Sequence, residues 1–372
     1  PPHRVPRMHN VIPNSRSYIA RLESAARRAG VDVLLRTEAI RLLTDGDRVT
    51  GLEISGPAGT RELRARQGVI LASGDFSGNA TMRKEHLPEA AHGALPINEG
   101  ALGLGHQLAA EVGAAQLRMD QLFGPQLRFP PPPKTGLLDR LPLWQWLCQL
   151  EALVVRVLPP AALRPIVKSL LVSHMSPSNA LFDAGAVLVD SSGTRFGFEE
   201  APAAELSRRP ERRGFIILDE SVAAQFEHEP NYISTAPGIA FAYFSDYAKG
   251  RPDLITRAPD VDSLARAIGA EPANLQHAVD SSSIRPPLVA MGPVFSMLTV
   301  TEGALAVDTE LRVLRTDGTP IDGLRAVGGV GQGGMLLKGH GHHIGWAMTS
   351  GRLAGQAITR KRSTPEKATE DA

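Results

Sequence analysis

GLRAVGGVGQGGMLLKGHGHHIGWAMTSGRLAGQAI, residues 323–358, is the stretch that decides the fold. An apolar strand core (Leu324, Ala326, Val327) runs into seven glycines and three histidines between residues 328 and 343. A helical pattern follows, with Ile344, Ala347, Met348, Gly351, Ala354, Gly355 and Ile358 predicted on one face. Strand, glycine-rich bend and helix aim backbone amides at a helix N-terminus. Such a terminus suits an electron-rich or anionic group of a cofactor.

Working outward, a second strand-to-glycine bend appears at Ser73-Gly74-Asp75-Phe76-Ser77-Gly78-Asn79, fed by the apolar run Gly68–Ala72. Before it lie a helix pattern over 15–29, ended by Gly30, and strand-like runs at 31–35, 39–43, 48–54 and 61–66. Helical signal returns over 103–111, and a strand pair with the turn Asp317-Gly318 spans 304–318. Between the two glycine-rich segments the composition changes, beginning with FPPPP at 129–133. The pattern predicts an α/β protein: a discontinuous Rossmann-like domain (1–114 and 291–360) with an α+β substrate-capping domain inserted at 115–290. The charged residues 361–372 are expected to form a disordered tail.

Composition narrows the function. With 40 basic and 39 acidic residues, the chain of 372 residues has no charge surplus for non-specific nucleic-acid binding. The lone Cys148 cannot pair within the chain, which fits a reducing, cytoplasmic compartment, and its apolar context predicts a buried thiol. The apolar stretch 141–172 is interrupted by charges and prolines, so it reads as two helices separated by Pro159-Pro160. We expect a helical lid over an apolar pocket; the alternative is a peripheral membrane contact.

Several segments, taken in order, resemble the fumarate reductase/succinate dehydrogenase flavoprotein-like family of FAD-dependent oxidoreductases, which includes the 3-ketosteroid Δ1-dehydrogenases. They are AARRAGVDVLLRTEAIRLLTDGDRVTGLEI, GVILASGDFSGN, DSSGTRFGFEE, and VDTELRVLRTDGTPIDGLRAVGGV with GHHIGWAMTSGRLAG. The resemblance implies FAD as cofactor. It would be met by the backbone at Ala39, by Ser73, Gly74, Asp75, Phe76, Gly78 and Asn79, by Gly328 and Gly329, and by Gly341, His342, His343 and Ile344. Gly329 stands where the family has an acid that holds FAD hydroxyls. The family's opening strand, G-x-G-x-x-G and helix is not seen before Ser15, so the sequence reads as a fragment.

For proton transfer the resemblance points to Lys338, at the position of the family's arginine, and to the neighbouring His340. Thr299 and Val300 replace a histidine pair of the fumarate reductases, and Phe295 stands where the steroid enzymes have a tyrosine. Arg195 is either an anion or substrate contact or a salt-bridge partner of Glu199 or Glu200. Tyr232, Tyr243 and Tyr247 are expected in core or surface roles. His340, His342 and His343 lack a nearby carboxylate or cysteine in sequence, so we expect flavin contact and no metal. The implied activity is hydride transfer between flavin and a C–C bond beside a carbonyl, on a small-molecule substrate of apolar character, with an unspecified electron partner. The rivals are a non-catalytic flavoprotein fragment or binding module, and a dicarboxylate enzyme.

Overall fold

The computed structural model describes residues 11–133, 140–159, 172, 175–197, 201–236, 240–337 and 341–359. In chain order the main elements begin with helix α1 (Arg16–Arg28) and strands β1 (Glu38–Asp45), β2 (Arg48–Gly56), β3 (Gly59–Arg64) and β4 (Val69–Leu71). Helices α2 (Ala80–His86) and α3 (Leu104–Glu111), strand β5 (Gln126–Arg128) and helix α4 (Gln145–Val157) follow. Next come strands β6 (Val187–Asp190), β7 (Arg213–Asp219) and β8 (Ile255–Ala258), helices α5 (Val261–Ile268) and α6 (Pro272–Asp280), and the long strand β9 (Leu288–Leu298). Strands β10 (Arg312–Leu314) and β11 (Pro320–Ala326) lead to helix α7 (His342–Thr359).

The chain divides into two compact units. The first comprises Pro1–Val33, Glu89–Leu95 and Gly124–Leu298; the second comprises Leu34–Pro88, Pro96–Phe123 and Thr299–Ala372. Where divisions at 114/115 and 290/291 were expected, the units change over at 123/124 and 298/299. Short ladders account for this: Gln116–Leu117 pairs with Ala304–Leu305, and Leu122–Phe123 pairs with Val300–Thr301. Strand β9 runs on to Leu298 in the first unit's sheet, and α1 groups with that unit as well.

In the first unit β9 is the organising strand. It pairs antiparallel with β7 (Asp219 opposite Leu288), β8 and β5, and β6 lies beyond β7. Helix α5 packs on β9 and β8, and α6 on β6, through Leu264, Ala265, Leu275 and Ala278, all with 0% exposure. Tyr247 is buried in the same core and donates its hydroxyl proton to Ser234 Oγ at 2.8 Å. Burial pushes its pKa up to about 12, a structural tyrosine as expected. Tyr232 lies against Phe241, and at the start of the helix Phe244–Gly250 the Tyr243 amide donates to Asp246 Oδ2 at 2.9 Å.

In the second unit β1, β2 and β3 form the expected antiparallel meander. Beside it β4 pairs in parallel with β11, with Val69, Ile70 and Leu71 opposite Leu324, Arg325 and Ala326, and β10 closes that sheet. Leu71, Leu108, Val313, Ile321, Leu324 and Val330 make its core. Residues 31–35, expected as a strand, make no ladder among the described residues, and Leu35 stays 67% exposed. An extended segment without a partner strand leaves its backbone groups to water.

Helix α4 is the first of the two helices predicted in 141–172; the second, after Pro160, lies outside the described residues except Val172. None of its residues is buried, so Cys148, a free thiol, is half-exposed where a buried one was expected. Among the described residues no helix is long and apolar enough to cross a membrane.

Candidate functional site

Because β4 and β11 are parallel neighbours, their carboxyl ends open at the same edge of the sheet. In an open α/β sheet, the crevice beyond such ends is where ligands bind. The Val327 amide continues the ladder by donating to the Leu71 carbonyl at 2.9 Å, and both strands then turn on glycines. A Cβ on Gly329 would lie 3.1 Å from the Gly74 carbonyl carbon and 3.2 Å from the Asp75 nitrogen, so the two turns are in backbone contact. Gly331 sits so tightly against the end of β11 that a Cβ would overlap the Ala326 carbonyl group.

Helix α7 is pinned to this corner by two side chains that no sequence motif singles out. The Trp346 indole donates to the Gly328 carbonyl at 3.1 Å, and the Gly328 amide donates to Ser350 Oγ at 3.0 Å. Ser350 in turn donates to the Trp346 carbonyl at 2.7 Å, closing the ring. The helix therefore packs along Trp346, Ser350 and Ala354. Of the face expected to share one side, Ala354 is buried, while its N-terminal half turns outward, leaving Ile344 53% and Met348 45% exposed. A polar latch at two residues sets the helix's rotation in place of its apolar stripe.

At the start of α7 the imidazole of His343 meets a carboxylate. Its Nε2 lies 3.2 Å from Glu302 Oε1, while the Glu302 side chain is only 5% exposed. The approach is off-axis for a hydrogen bond to Nε2, so the contact is a charge pair when the imidazole is protonated. Glu302 Oε2 accepts a short hydrogen bond from Gln332 Nε2, which also donates to the Met335 carbonyl, and a weak one from the Leu337 amide at 3.4 Å. Burial, the largest single influence on Glu302, favours the neutral acid. His343, Gln332 and the Leu337 amide together outweigh it and hold the carboxyl below its ordinary value. Glu302 is the lone charged residue in the run LTVTEGALAV; that isolated acid is the signal that would have found it.

The expected cofactor residues divide by where their groups point. Gly74 (φ +78°) and Gly341 (φ +80°) face open space, with nothing within 4 Å of where a Cβ would stand, as do Gly345, Gly351 and Gly355 along α7. The side chains of Ser73, Asp75 and Asn79 are engaged within the unit. Ser73 Oγ accepts from the Gly105 amide at 3.0 Å, Asp75 Oδ1 from the Ser77 amide at 2.7 Å, and Asn79 caps α2. Phe76 is wholly buried against His106 and His86, and Gly78 is packed on the Glu99 carbonyl. Ala39 is half-buried beside a bulge in β1.

Lys338 and His340 lie outside the described residues, as do Glu199 and Glu200. Arg195 belongs to the first unit, where its Nη1 donates to the Ser281 carbonyl at 2.7 Å beside an open groove shared with Asn274 and His277. Among the described residues no three histidine, cysteine, aspartate or glutamate side chains gather as a metal set.

Comparison with known proteins points the same way. The profile of a family described as "FAD binding domain" matches residues 2–337. The 4-oxocyclohex-2-ene-1-carboxylate 5-dehydrogenase of Sinomonas cyclohexanicum is 24% identical over 403 aligned positions, covering 95% of this chain and 61% of the relative. The open conformation of a flavocytochrome c3 fumarate reductase superposes with a TM-score of 0.64 at 21% identity, covering 95% of this chain and 58% of that one. The 3-ketosteroid Δ1-dehydrogenase of Sterolibacterium denitrificans gives 0.54 at 21% identity, covering 91% and 61%. These likenesses show the fold; the chain spans about three fifths of those proteins' lengths. FAD fits the residues present: the open Cβ positions at Gly74 and Gly341 leave main chain free to approach a flat ring without a side chain between.

Proposed function

We infer, from the premise that this chain belongs to the FAD binding domain family, that it works as an FAD-dependent oxidoreductase on a C–C bond beside the carbonyl of a lipophilic ring ketone. The observation that carries this reading is the His343–Glu302 pair, set at the first turn of α7 beside the glycine turns. We assign FAD to the second unit, at Gly74, Gly328, Gly329 and the backbone of residues 341–344, with the Ala39 backbone toward its adenine. Substrate selection is assigned to the first unit.

Bound FAD supplies hydride acceptance or donation at its N5. The chain's own residues handle position and protons. A carbonyl acidifies the C–H next to it, so an imidazole is base enough to take that proton, and its conjugate acid returns it in the reverse direction. His343 Nε2 is the atom proposed to hold it. Glu302 fixes the imidazole and offsets its charge, and Gln332 with the Leu337 amide keeps Glu302 ionised. A reacting carbonyl oxygen is served by the amides at the start of α7, whose dipole favours developing negative charge.

Relatives named for 4-oxocyclohexene carboxylate and 3-ketosteroid chemistry support a ring ketone. The test is anaerobic: the FAD-loaded protein is mixed with a 3-oxosteroid or with 4-oxocyclohexanecarboxylate, and flavin absorbance is followed. Bleaching with formation of a conjugated ketone is expected. Reoxidation of reduced protein by fumarate alone replaces this reading with the dicarboxylate one, and failure to take up FAD leaves a non-catalytic binding module.

A further inference from the structure

Helix α4 reads QWLCQLEALVVRV, and at 100° per residue Trp146, Leu150, Leu153 and Val157 fall on one stripe. All four stand in water, at 60%, 50%, 56% and 71% exposure. Trp144, 57% exposed, precedes the helix and stacks on Trp146 with ring centroids 5.8 Å apart. Gln145, Gln149 and Arg156 flank the stripe along one side, and the half-buried Cys148 and Glu151 lie opposite it. A helix that presents its apolar stripe outward has no partner for it within the chain's described residues.

We propose that this stripe docks on the surface of an anionic lipid bilayer. Charge supports that occupant. Over the described residues 140–159, Arg140 and Arg156 stand against Glu151, two minus one, or +1. Tandem tryptophans at a helix start suit the headgroup boundary, where an indole keeps its ring in the apolar layer and its N–H in the wet one. Basic residues beside such a helix each strengthen attachment to anionic lipid by about fivefold, the equivalent of roughly 1 kcal/mol. A second copy of the chain is a poorer occupant. One helix of 13 residues offers a strip of about 20 by 10 Å, well short of the roughly 800 Å² per partner of a stable interface.

The experiment uses the full chain with FAD present. Vesicles of neutral phosphatidylcholine, and vesicles with phosphatidylglycerol added, are sedimented with the protein, and tryptophan emission is recorded. Two of the three tryptophans are on this segment, so docking shifts the emission to the blue. Binding to the anionic vesicles, weakened by salt, is expected. It should fall at least tenfold in the variant W144S/W146S, whose circular dichroism and FAD uptake stay unchanged. The idea is overturned by absence of binding to either vesicle, by binding that survives the double substitution, or by a concentration-dependent dimer that W144S/W146S abolishes. The last result would make the stripe an interface between copies. None of these outcomes depends on the reaction catalysed.

Discussion

Replacing Glu302 tests the site without knowledge of the substrate. Its carboxylate is nearly sealed from water and faces the Gln332 amide, the Leu337 amide and the His343 imidazole. Glu302→Ala strands a 1%-exposed glutamine and a histidine at once, a loss of about 3–5 kcal/mol for a broken buried pair. Glu302→Gln keeps the volume but loses the charge, turning charge-assisted contacts into neutral ones at a cost of about 1–3 kcal/mol. At about 2–4 °C per kcal/mol, the glutamine variant should melt roughly 2–12 °C lower. The pH dependence has a definite sign. Glu302 titrates below its unfolded value of 4.5, so its stabilisation is fully present above that pH and is lost as pH falls through the lower folded value. The gap between wild type and Glu302→Gln, read by scanning calorimetry, should therefore close in acid. A double-mutant cycle with His343→Ala should give a coupling of about 0.5–3 kcal/mol at neutral pH. A glutamine variant within about 0.5 kcal/mol of wild type, or a gap that persists unchanged in acid, would refute the reasoning.

Three further perturbations separate cofactor approach from packing. Gly74→Ala puts a methyl on a φ +78° residue facing open space, so it should cost about 1–3 kcal/mol of stability and weaken FAD binding, by fluorescence titration, at least about tenfold; an unchanged affinity removes Gly74 from the cofactor's path. Gly331→Ala meets the Ala326 backbone head-on, and a loss above about 4 kcal/mol is expected in denaturant melts; a mild effect means the turn can open. His106 is buried, burial lowers its pKa, and Nε2–H donates to the Gly303 carbonyl at 3.0 Å. The unfolded chain thus binds a proton near pH 6.5 that the folded one refuses, and stability should fall below that pH by up to about 1.4 kcal/mol per unit. His106→Gln should remove that slope, and an identical acid profile would rule His106 out as its source.

Much of the second unit was legible because its signals are local. Glycines that end apolar strands, the Asp317-Gly318 turn, and the helix after Gly341 all declare themselves within a few residues. Long-range partners do not. Glu302 and His343 are 41 positions apart, and nothing in either's neighbourhood says that they meet. The rotation of α7 misled for a related reason: its small and apolar residues form a convincing stripe, yet a serine hydroxyl and an indole N–H bonded to one glycine turn decide which side packs. Residues 31–35 have strand-like composition, but a strand exists only where another strand accepts its hydrogen bonds.

The pair at the start of α7 also bears on how a glycine-rich corner is tuned. Free amides at a helix N-terminus carry partial positive charge, and a protonated imidazole in that first turn adds more. Left alone, that concentration of positive charge in a partly closed corner is costly. Glu302, at 3.2 Å and almost buried, supplies the compensating negative charge. It is kept ionised by Gln332, which is itself anchored by the Met335 carbonyl. In the proposed reaction a charge taken up by His343 would be matched by Glu302, leaving the helix amides to answer negative charge that develops on a ligand. Gly329 stands where the resemblance places an acid. Glu302 brings a carboxylate from a distant segment to the histidine, so the acid–base chemistry proposed for this corner rests on two residues that no short motif joins.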